Sequence, residues 1–235
     1  MMALMGEEMW RAYDVMGRAY ADHAEDGLYN AHYDRPCVLE LCGDVAGQRV
    51  VDICCGPGFY LAELIDRGAT VTGFDASEVM LELARARVGP DVEVLEARLG
   101  ERLPVEDASV DLVVCALAIH YVQDKGPTLA ELHRILRPGG ALVLSTQHPT
   151  TDWLRKGGSY FDSTREVDSW RGLATEVPFW REPLTVLCEA IFRAGFVIER
   201  LVEPQVDESY RDRWGDDIDF LLTTPGFLAL RLLRR

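Results

Sequence analysis

Val50-Val51-Asp52-Ile53-Cys54-Cys55-Gly56-Pro57-Gly58, followed by Val71-Thr72-Gly73-Phe74-Asp75, is the stretch that decides the fold. A β-branched, aliphatic run stops abruptly at a Gly-rich turn. Gly58 opens a helical pattern from Phe59 to Arg67, stopped by Gly68, and a second apolar run then ends in an acid. Strand, tight turn, helix and strand with an acid at its tip is a layout that suits a ribose-containing cofactor. Glycines in the turn permit positive φ and close approach of a ligand to the backbone. The helix that follows aims its N-terminus at the same place.

Outward from this unit the alternation continues. Strands are expected at Arg49 to Ile53, Thr70 to Phe74, Val92 to Leu95, Val110 to Ala116 and Ala141 to Ser145. Helices are expected at Phe59 to Arg67, at Glu78 to Val88 behind an N-cap at Ser77, and at Thr128 to Leu136 before Pro138-Gly139-Gly140. This rhythm predicts a doubly wound, mostly parallel sheet. It breaks at His148 to Pro183, where Trp153, Tyr160, Phe161, Trp170, Phe179 and Trp180 stand among charges and glycines. It resumes with a helix from Leu184 to Arg193, a strand from Phe196 to Val202 and a last strand at Phe227 to Leu230. The residues between those two strands read as a polar, acidic loop, so the last strand is expected to pair antiparallel, as the seventh of the sheet. Ahead of the sheet, Met9, Tyr13, Met16 and Tyr20 form one apolar stripe on a helix from Glu7 to Asp22. Pro36 reads as the start of a further helix.

The chain has 235 residues, 48% of them apolar, which suits one large domain with a sizeable core. Asp and Glu number 39 against 24 Lys and Arg, a formal net charge of −15. A polyanion is repelled at long range, which argues against a nucleic-acid partner. The six cysteines include no C-x-x-C pair, and three fall in or beside predicted buried strands, as cytoplasmic free thiols do. Neither Cys nor His shows metal-ligand spacing, so no metal is expected. Met1 to Met5 lacks a cationic flank and is followed by Glu7 and Glu8, which reads as neither signal peptide nor membrane anchor.

Ligands of open parallel sheets bind at the carboxyl ends of the strands. The residues just after each strand are therefore the candidates. Asp75 has acceptors for both ribose hydroxyls. Glu96 to Pro104 falls where an adenine slot belongs. Two histidines, His120 and His148, emerge after the fourth and fifth strands at the same edge as the Gly turn. Imidazole titrates near neutral pH, so both are candidate bases, with His148 favoured because it precedes the aromatic insertion.

The ordered set Val51-Asp52-Ile53-Cys54-Cys55-Gly56-Pro57-Gly58, Gly73-Phe74-Asp75-Ala76-Ser77, Leu103-Pro104, Val110-Asp111-Leu112-Val113-Val114, His120-Tyr121 and Arg134-Ile135-Leu136-Arg137-Pro138-Gly139-Gly140 resembles the class I S-adenosylmethionine-dependent methyltransferases, specifically their small-molecule (type 11-like) group. The resemblance runs from Cys37 to Leu144 and returns at Ala194-Gly195-Phe196. It implies a Rossmann-like, seven-stranded α/β fold with an antiparallel last strand. It also implies S-adenosyl-L-methionine as cofactor, S-adenosyl-L-homocysteine as product, and O- or N-methylation of a small molecule. By the same resemblance Asp52, Cys54, Gly56 and Gly58 hold the methionine moiety, Asp75 the ribose, Ala76, Arg98 and Leu99 the adenine, and Ala116 and Leu117 flank the sulfonium. Two positions depart from the pattern. Cys54 stands where the turn usually has its first glycine, and Arg98 where an Asp often accepts from the adenine amino group. Arg98 has no acceptor, which leaves that recognition to backbone groups.

One methyltransferase domain over residues 1–235 is expected, with an N-terminal helical lid (1–36), a cofactor-binding core (37–146), a cap (147–183) and a C-terminal helix and strands (184–235). Tyr20 and Tyr33 from the lid and Trp153 and Tyr160 from the cap are expected around the substrate. A monomer or homodimer without membrane contact is expected. Two alternatives remain at this point: a non-catalytic cofactor-binding scaffold of the same fold, and a nicotinamide-dependent oxidoreductase. The second needs a third glycine where Leu61 stands. A P-loop NTPase is excluded because no Gly-Lys-Ser/Thr occurs.

Overall fold

The computed structural model describes residues 7–170, 173 and 175–235. In chain order the elements are α1 (Glu7–Asp26), a π-helical segment (Leu28–Asp34), α2 (Arg35–Cys42), β1 (Arg49–Ile53), α3 (Phe59–Asp66), β2 (Thr70–Asp75), α4 (Glu78–Val88), β3 (Glu93–Glu96) and β4 (Val110–Cys115). A 3-10 turn (Ile119–Tyr121) leads to α5 (Lys125–Ile135), β5 (Leu136–Gln147), α6 (Pro149–Lys156), β6 (Thr164–Ser169), β7 (Glu176–Arg181), α7 (Leu184–Arg193) and β8 (Phe196–Val202). A second 3-10 turn (Glu208–Tyr210), α8 (Arg211–Leu221) and β9 (Phe227–Arg234) complete it.

Seven strands form one sheet in the order β3-β2-β1-β4-β5-β9-β8. The pairs β1–β2, β2–β3, β1–β4 and β4–β5 are parallel, whereas β9 runs antiparallel to both β5 and β8. The antiparallel last strand predicted from the sequence is thus present. The order reverses direction between β1 and β4, so the crevice at their carboxyl ends is the natural ligand site of the sheet.

The period of two along each strand explains the two cores. Val51, Ile53, Val113 and Cys115 pack on one face against Leu129, Leu132 and Ile135 of α5 and Leu187 and Ile191 of α7. Val50, Leu112 and Val114 pack on the other against α2, α3 and α4 through Val38, Leu41, Leu61, Leu64 and Leu81. Both faces are covered, which is why these strands read as continuous apolar runs.

One expectation needs correction. The stretch between β8 and β9 is not a loop but carries α8. That helix buries only Ile218 and Leu221, and Gly215 breaks its geometry at φ +34°, so its apolar stripe is too sparse to read. It packs on Leu28, Tyr33 and Val206. The aromatic insertion after β5 contains α6 and an antiparallel hairpin of β6 and β7 outside the main sheet. Among the described residues no helix is long and apolar enough to cross a membrane. All six cysteines are free thiols.

Candidate active site

The Gly turn leaves β1 through three left-handed residues: Cys54 (φ +59°), Gly56 (+53°) and Gly58 (+81°). The Cys55 amide donates to the Phe74 carbonyl at 2.9 Å, which ties the turn to β2. A Cβ at Gly56 would meet nothing within 4 Å, so open space lies beside that residue. A Cβ at Gly58 would sit 3.1 Å from Ala84 Cα, so Gly58 serves the packing of α3 on α4. Cys54 holds the strained position a glycine would take freely, at roughly 1–2 kcal/mol for a residue with a Cβ. Cys54→Gly is expected to leave stability within about 1 kcal/mol, and the β-branched Cys54→Val to lower it by about 2 kcal/mol. Urea denaturation of the three proteins checks both values.

Asp75 closes the site from β2. One of its carboxylate oxygens accepts from the Gly56 amide at 2.8 Å and the other from the Ser77 amide at 2.9 Å. Each oxygen keeps acceptor capacity beyond these bonds. Asp52, on the adjacent strand, is 1% exposed and its Oδ2 has no hydrogen-bond partner. A third buried carboxylate arrives from the N-terminal segment. Asp34 accepts from the Tyr60 hydroxyl at 2.5 Å, and its Oδ1 also lacks a partner. Burial pushes all three carboxyl groups upward, with the Asp75 charge adding to the effect at Asp52. Asp34 is raised to about 6. Unpartnered buried carboxylate oxygens are costly, and a cation placed among them offsets that cost.

These raised values carry a consequence for stability. In the unfolded chain an Asp ionises near 3.8, whereas the folded protein holds Asp34 to about 6 and Asp152, a buried residue of α6, to about 7. Between roughly pH 4 and 7 these two acids therefore bind more protons in the folded state, and their contribution falls as pH rises, opposed in part below about pH 6.5 by His120, which folding holds to about 3. Each group contributes on the order of 3 kcal/mol to that fall. Tm in calorimetry is expected to decline from pH 5 to pH 8, and a flat or rising profile would contradict the burial of these groups as free acids.

Helix α1 lies across the turn. The Ser77 hydroxyl donates to Asp14 at 2.5 Å, and the hydroxyls of Tyr13 and Tyr121 meet at 2.7 Å. Tyr13 and Tyr20 stack edge to face with centroids 4.9 Å apart, and Trp170 approaches both at about 6 Å. Burial raises the Tyr20 phenol to about 12, with Asp75 and Asp34 adding to the shift. Tyr20 is thus brought near the carboxylates of Asp75 and Asp34.

The other predicted positions fall into two groups. Near the turn, Ala76 directly follows Asp75, the last residue of β2. Leu117 takes φ +49°, and its amide donates to both the carbonyl and the hydroxyl of Ser145. Ala116 and Leu99 pack on the two cores. Arg98 lies 5.3 Å from the Trp10 ring of α1 and is paired with Glu96 and Glu101, so it ties the β3–β4 loop to that helix. His120 is buried, with Nδ1 3.1 Å from the Thr146 hydroxyl. Burial and the Lys125 charge hold it down to about 3.

The second group is engaged elsewhere. His148 caps α6 by accepting from the Thr150 amide at Nδ1, and its Nε2 lies 2.9 Å from Glu203, so both nitrogens are occupied. Tyr33 accepts from the Gly226 amide inside the cluster around α8. Trp153 donates to the Gly158 carbonyl, Tyr160 accepts from the Leu184 amide, and the two rings pack edge to face. Asp34 and Asp152 were not singled out from the sequence. What distinguishes each is its burial. A cavity of about 440 Å³ opens between α5 and α7 and shares none of the residues of the Gly turn.

Comparison with known proteins agrees with this fold. Residues 51–144 match a family described as a methyltransferase domain. The chain is 36% identical over 164 residues to a methyltransferase of Synechocystis, covering 69% of this chain and 73% of the relative. It is 35% identical over 124 residues to a demethylmenaquinone methyltransferase of Lactococcus lactis, covering 49% of each. The match thus spans about half the length of that curated relative. The crystal structure of an S-adenosylmethionine-dependent methyltransferase from Mesorhizobium loti superposes with a TM-score of 0.67 at 28% identity, covering 85% of this chain and 96% of the other.

Proposed function

The chain belongs to the class I S-adenosylmethionine-dependent methyltransferases, and from that premise we propose that it methylates a small molecule at oxygen or nitrogen, using the edge built by Asp52, Gly56 and Asp75. The observation that carries the site assignment is the pair of buried carboxylates at the ends of β1 and β2, one with an unpartnered oxygen, beside open space at Gly56. S-adenosylmethionine fits that chemistry: it has two ribose hydroxyls that need acceptors and two cationic centres, an ammonium and a sulfonium, that a cluster of buried carboxylates favours.

In this assignment Asp75 accepts from the ribose hydroxyls while its backbone bonds hold the turn. Asp52 and Asp34 face the ammonium. Ala76 and Leu99 flank the adenine, and Ala116 and Leu117 border the sulfonium side. The electron-rich faces of Tyr13, Tyr20 and Tyr121 suit a cation there. When bound, S-adenosylmethionine supplies an electrophilic methyl group. The task of the chain is to align the acceptor behind that methyl and keep water out, which α1 and the cap do by covering the crevice. Neither histidine has the properties of a base: His148 has no free nitrogen, and His120 holds protons too weakly near neutrality.

A small-molecule acceptor is supported by the net charge of −15, which disfavours RNA and DNA, and by the covered crevice. The test is to incubate the protein with methyl-labelled S-adenosylmethionine and a bacterial lysate. Label is expected in the low-molecular-weight fraction, and label confined to protein or nucleic acid would overturn the reading.

A further inference from the structure

Beyond the cofactor edge, the loops after β4 and β5 and the cap enclose a second, small cavity. It is lined by His120, Gln147, Asp152, Trp180 and the Lys125–Glu182 pair, with Pro149, Pro183 and Leu187 completing its walls. Its volume, about 20 Å³, accommodates one water-sized group. One of its lining residues, Thr146, bonds His120 and follows Ser145, whose hydroxyl accepts from the amide of Leu117, just past the end of β4.

The charged groups around this cavity differ in how closely they are paired. Lys125 and Glu182 are both buried and bonded to each other, so they cancel. His120 is neutral, as shown above. Asp152 is 4% exposed, and its nearest cation, Arg155, stands 3.8 Å away, beyond hydrogen-bond reach. The surrounding cations are committed to other acids: Arg155 and Lys156 to Asp168, and Arg181 to Glu166 and the Ser159 carbonyl. Among the described residues Asp152 thus has cations nearby, Arg155 at 3.8 Å and Lys156 and Arg181 further off, but none within hydrogen-bond reach of its carboxyl group.

The hydrogen-bond inventory points the same way. The Gln147 amide nitrogen donates to Asp168 at 3.3 Å, which fixes the orientation of that amide, and its Oε1 is then buried with no partner. Thus two acceptors at this cavity, the Asp152 carboxyl group and the Gln147 carbonyl oxygen, have no hydrogen-bonded partner among the described residues. A group with several N–H donors and a positive charge satisfies both, whereas a carboxylate or phosphate has no donor for the Gln147 oxygen and repels an ionised Asp152.

We propose that this cavity is the recognition subsite for the acceptor, and that it takes a protonated primary amine, held by Asp152 and the Gln147 carbonyl oxygen. The proposal rests on the methyltransferase reading of the neighbouring edge and narrows its acceptor to amine-bearing small molecules. Asp152 and Gln147 act here as specificity-determining residues, with no part in the transfer itself. The overall negative charge of the chain adds attraction for such a cation at long range.

The test is calorimetric titration of three matched probes, benzylamine, benzyl alcohol and benzoate, with and without saturating S-adenosylhomocysteine. Benzylamine is expected to bind at least about tenfold more tightly than either of the others. Asp152→Asn keeps the side-chain shape and is expected to reduce that preference to within about twofold, and Gln147→Leu to weaken benzylamine binding severalfold. Equal affinity for the three probes, or an Asp152→Asn protein that keeps the preference, would overturn the proposal. Should either variant fail to fold, the ranking of the probes on the unaltered protein decides alone. Loss of S-adenosylhomocysteine binding with the amine preference intact would count against the cofactor assignment instead, so the two failures are distinct.

Discussion

Asp75→Ala is expected to weaken binding of S-adenosylhomocysteine at least about 100-fold. Two effects combine. The substitution removes the acceptors for both ribose hydroxyls, and bonds to a charged acceptor contribute roughly 1.5–3 kcal/mol each. It also removes the brace on the turn, because Asp75 accepts from the Gly56 and Ser77 amides. Half of that loss alone is a tenfold change in affinity at about 1.4 kcal/mol. Asp75→Asn discriminates the two effects. It keeps the size but presents an NH2 group towards one of the two amide donors, so the turn loses a bond while an acceptor oxygen remains. Its affinity is expected between those of Asp75→Ala and the parent. Calorimetric titration of the three proteins supplies the values, and a change of less than about threefold for Asp75→Ala would remove Asp75 from the site.

The second large effect is structural. Gly58→Val is expected to destabilise the fold by about 4 kcal/mol or more, a large share of the 5–15 kcal/mol typical of a domain. Gly58 has φ +81°, which a β-branched residue adopts only with strain. Its Cβ would also lie 3.1 Å from the backbone of Ala84 and 3.2 Å from that residue's own Cβ. The neighbour is backbone on α4, so relief requires a shift of the helix that carries Ser77, the ligand of Asp14 and the N-cap of α4. Gly56→Ala is the contrast: open space surrounds its Cβ, so it pays the backbone strain of φ +53° but meets no clash. Denaturation of both variants checks the ranking, and equal losses would contradict the packing role assigned to Gly58.

The elements that were legible from the chain are those with strong periodicity and glycine punctuation. The strands β1, β2 and β4 are apolar on both faces because helices cover both, and this is what their residues display. The acid at the tip of β2 follows from the strand–turn–helix–strand unit by position alone. Helix α8 was missed because only Ile218 and Leu221 of it are buried. The cap hairpin was missed because β6 alternates charged residues with a single buried Asp168, a pattern no core-facing strand displays.

The site was legible in proportion to its dependence on the sheet. Asp52 and Asp75 lie on the neighbouring parallel strands β1 and β2, and Gly56, in the turn after β1, donates to Asp75, so their proximity follows from the sheet. The histidines were singled out by emerging at the right edge, but the partner that occupies His148, Glu203, lies 55 residues further along the chain. No local signal announces such a pairing. Asp34 and Asp152 present the complementary case. Their importance lies in burial, a property of tertiary packing that no spacing encodes.

The most direct test of the central claim is the crystal structure of the complex with S-adenosylhomocysteine. The account predicts both ribose hydroxyls on the Asp75 carboxylate, the amino-acid end of the ligand beside Asp52 and Asp34 in the space next to Gly56, and α1 lying over it with Tyr13 and Tyr20. Ligand bound away from the ends of β1 and β2, or a ribose with no contact to Asp75, would contradict it.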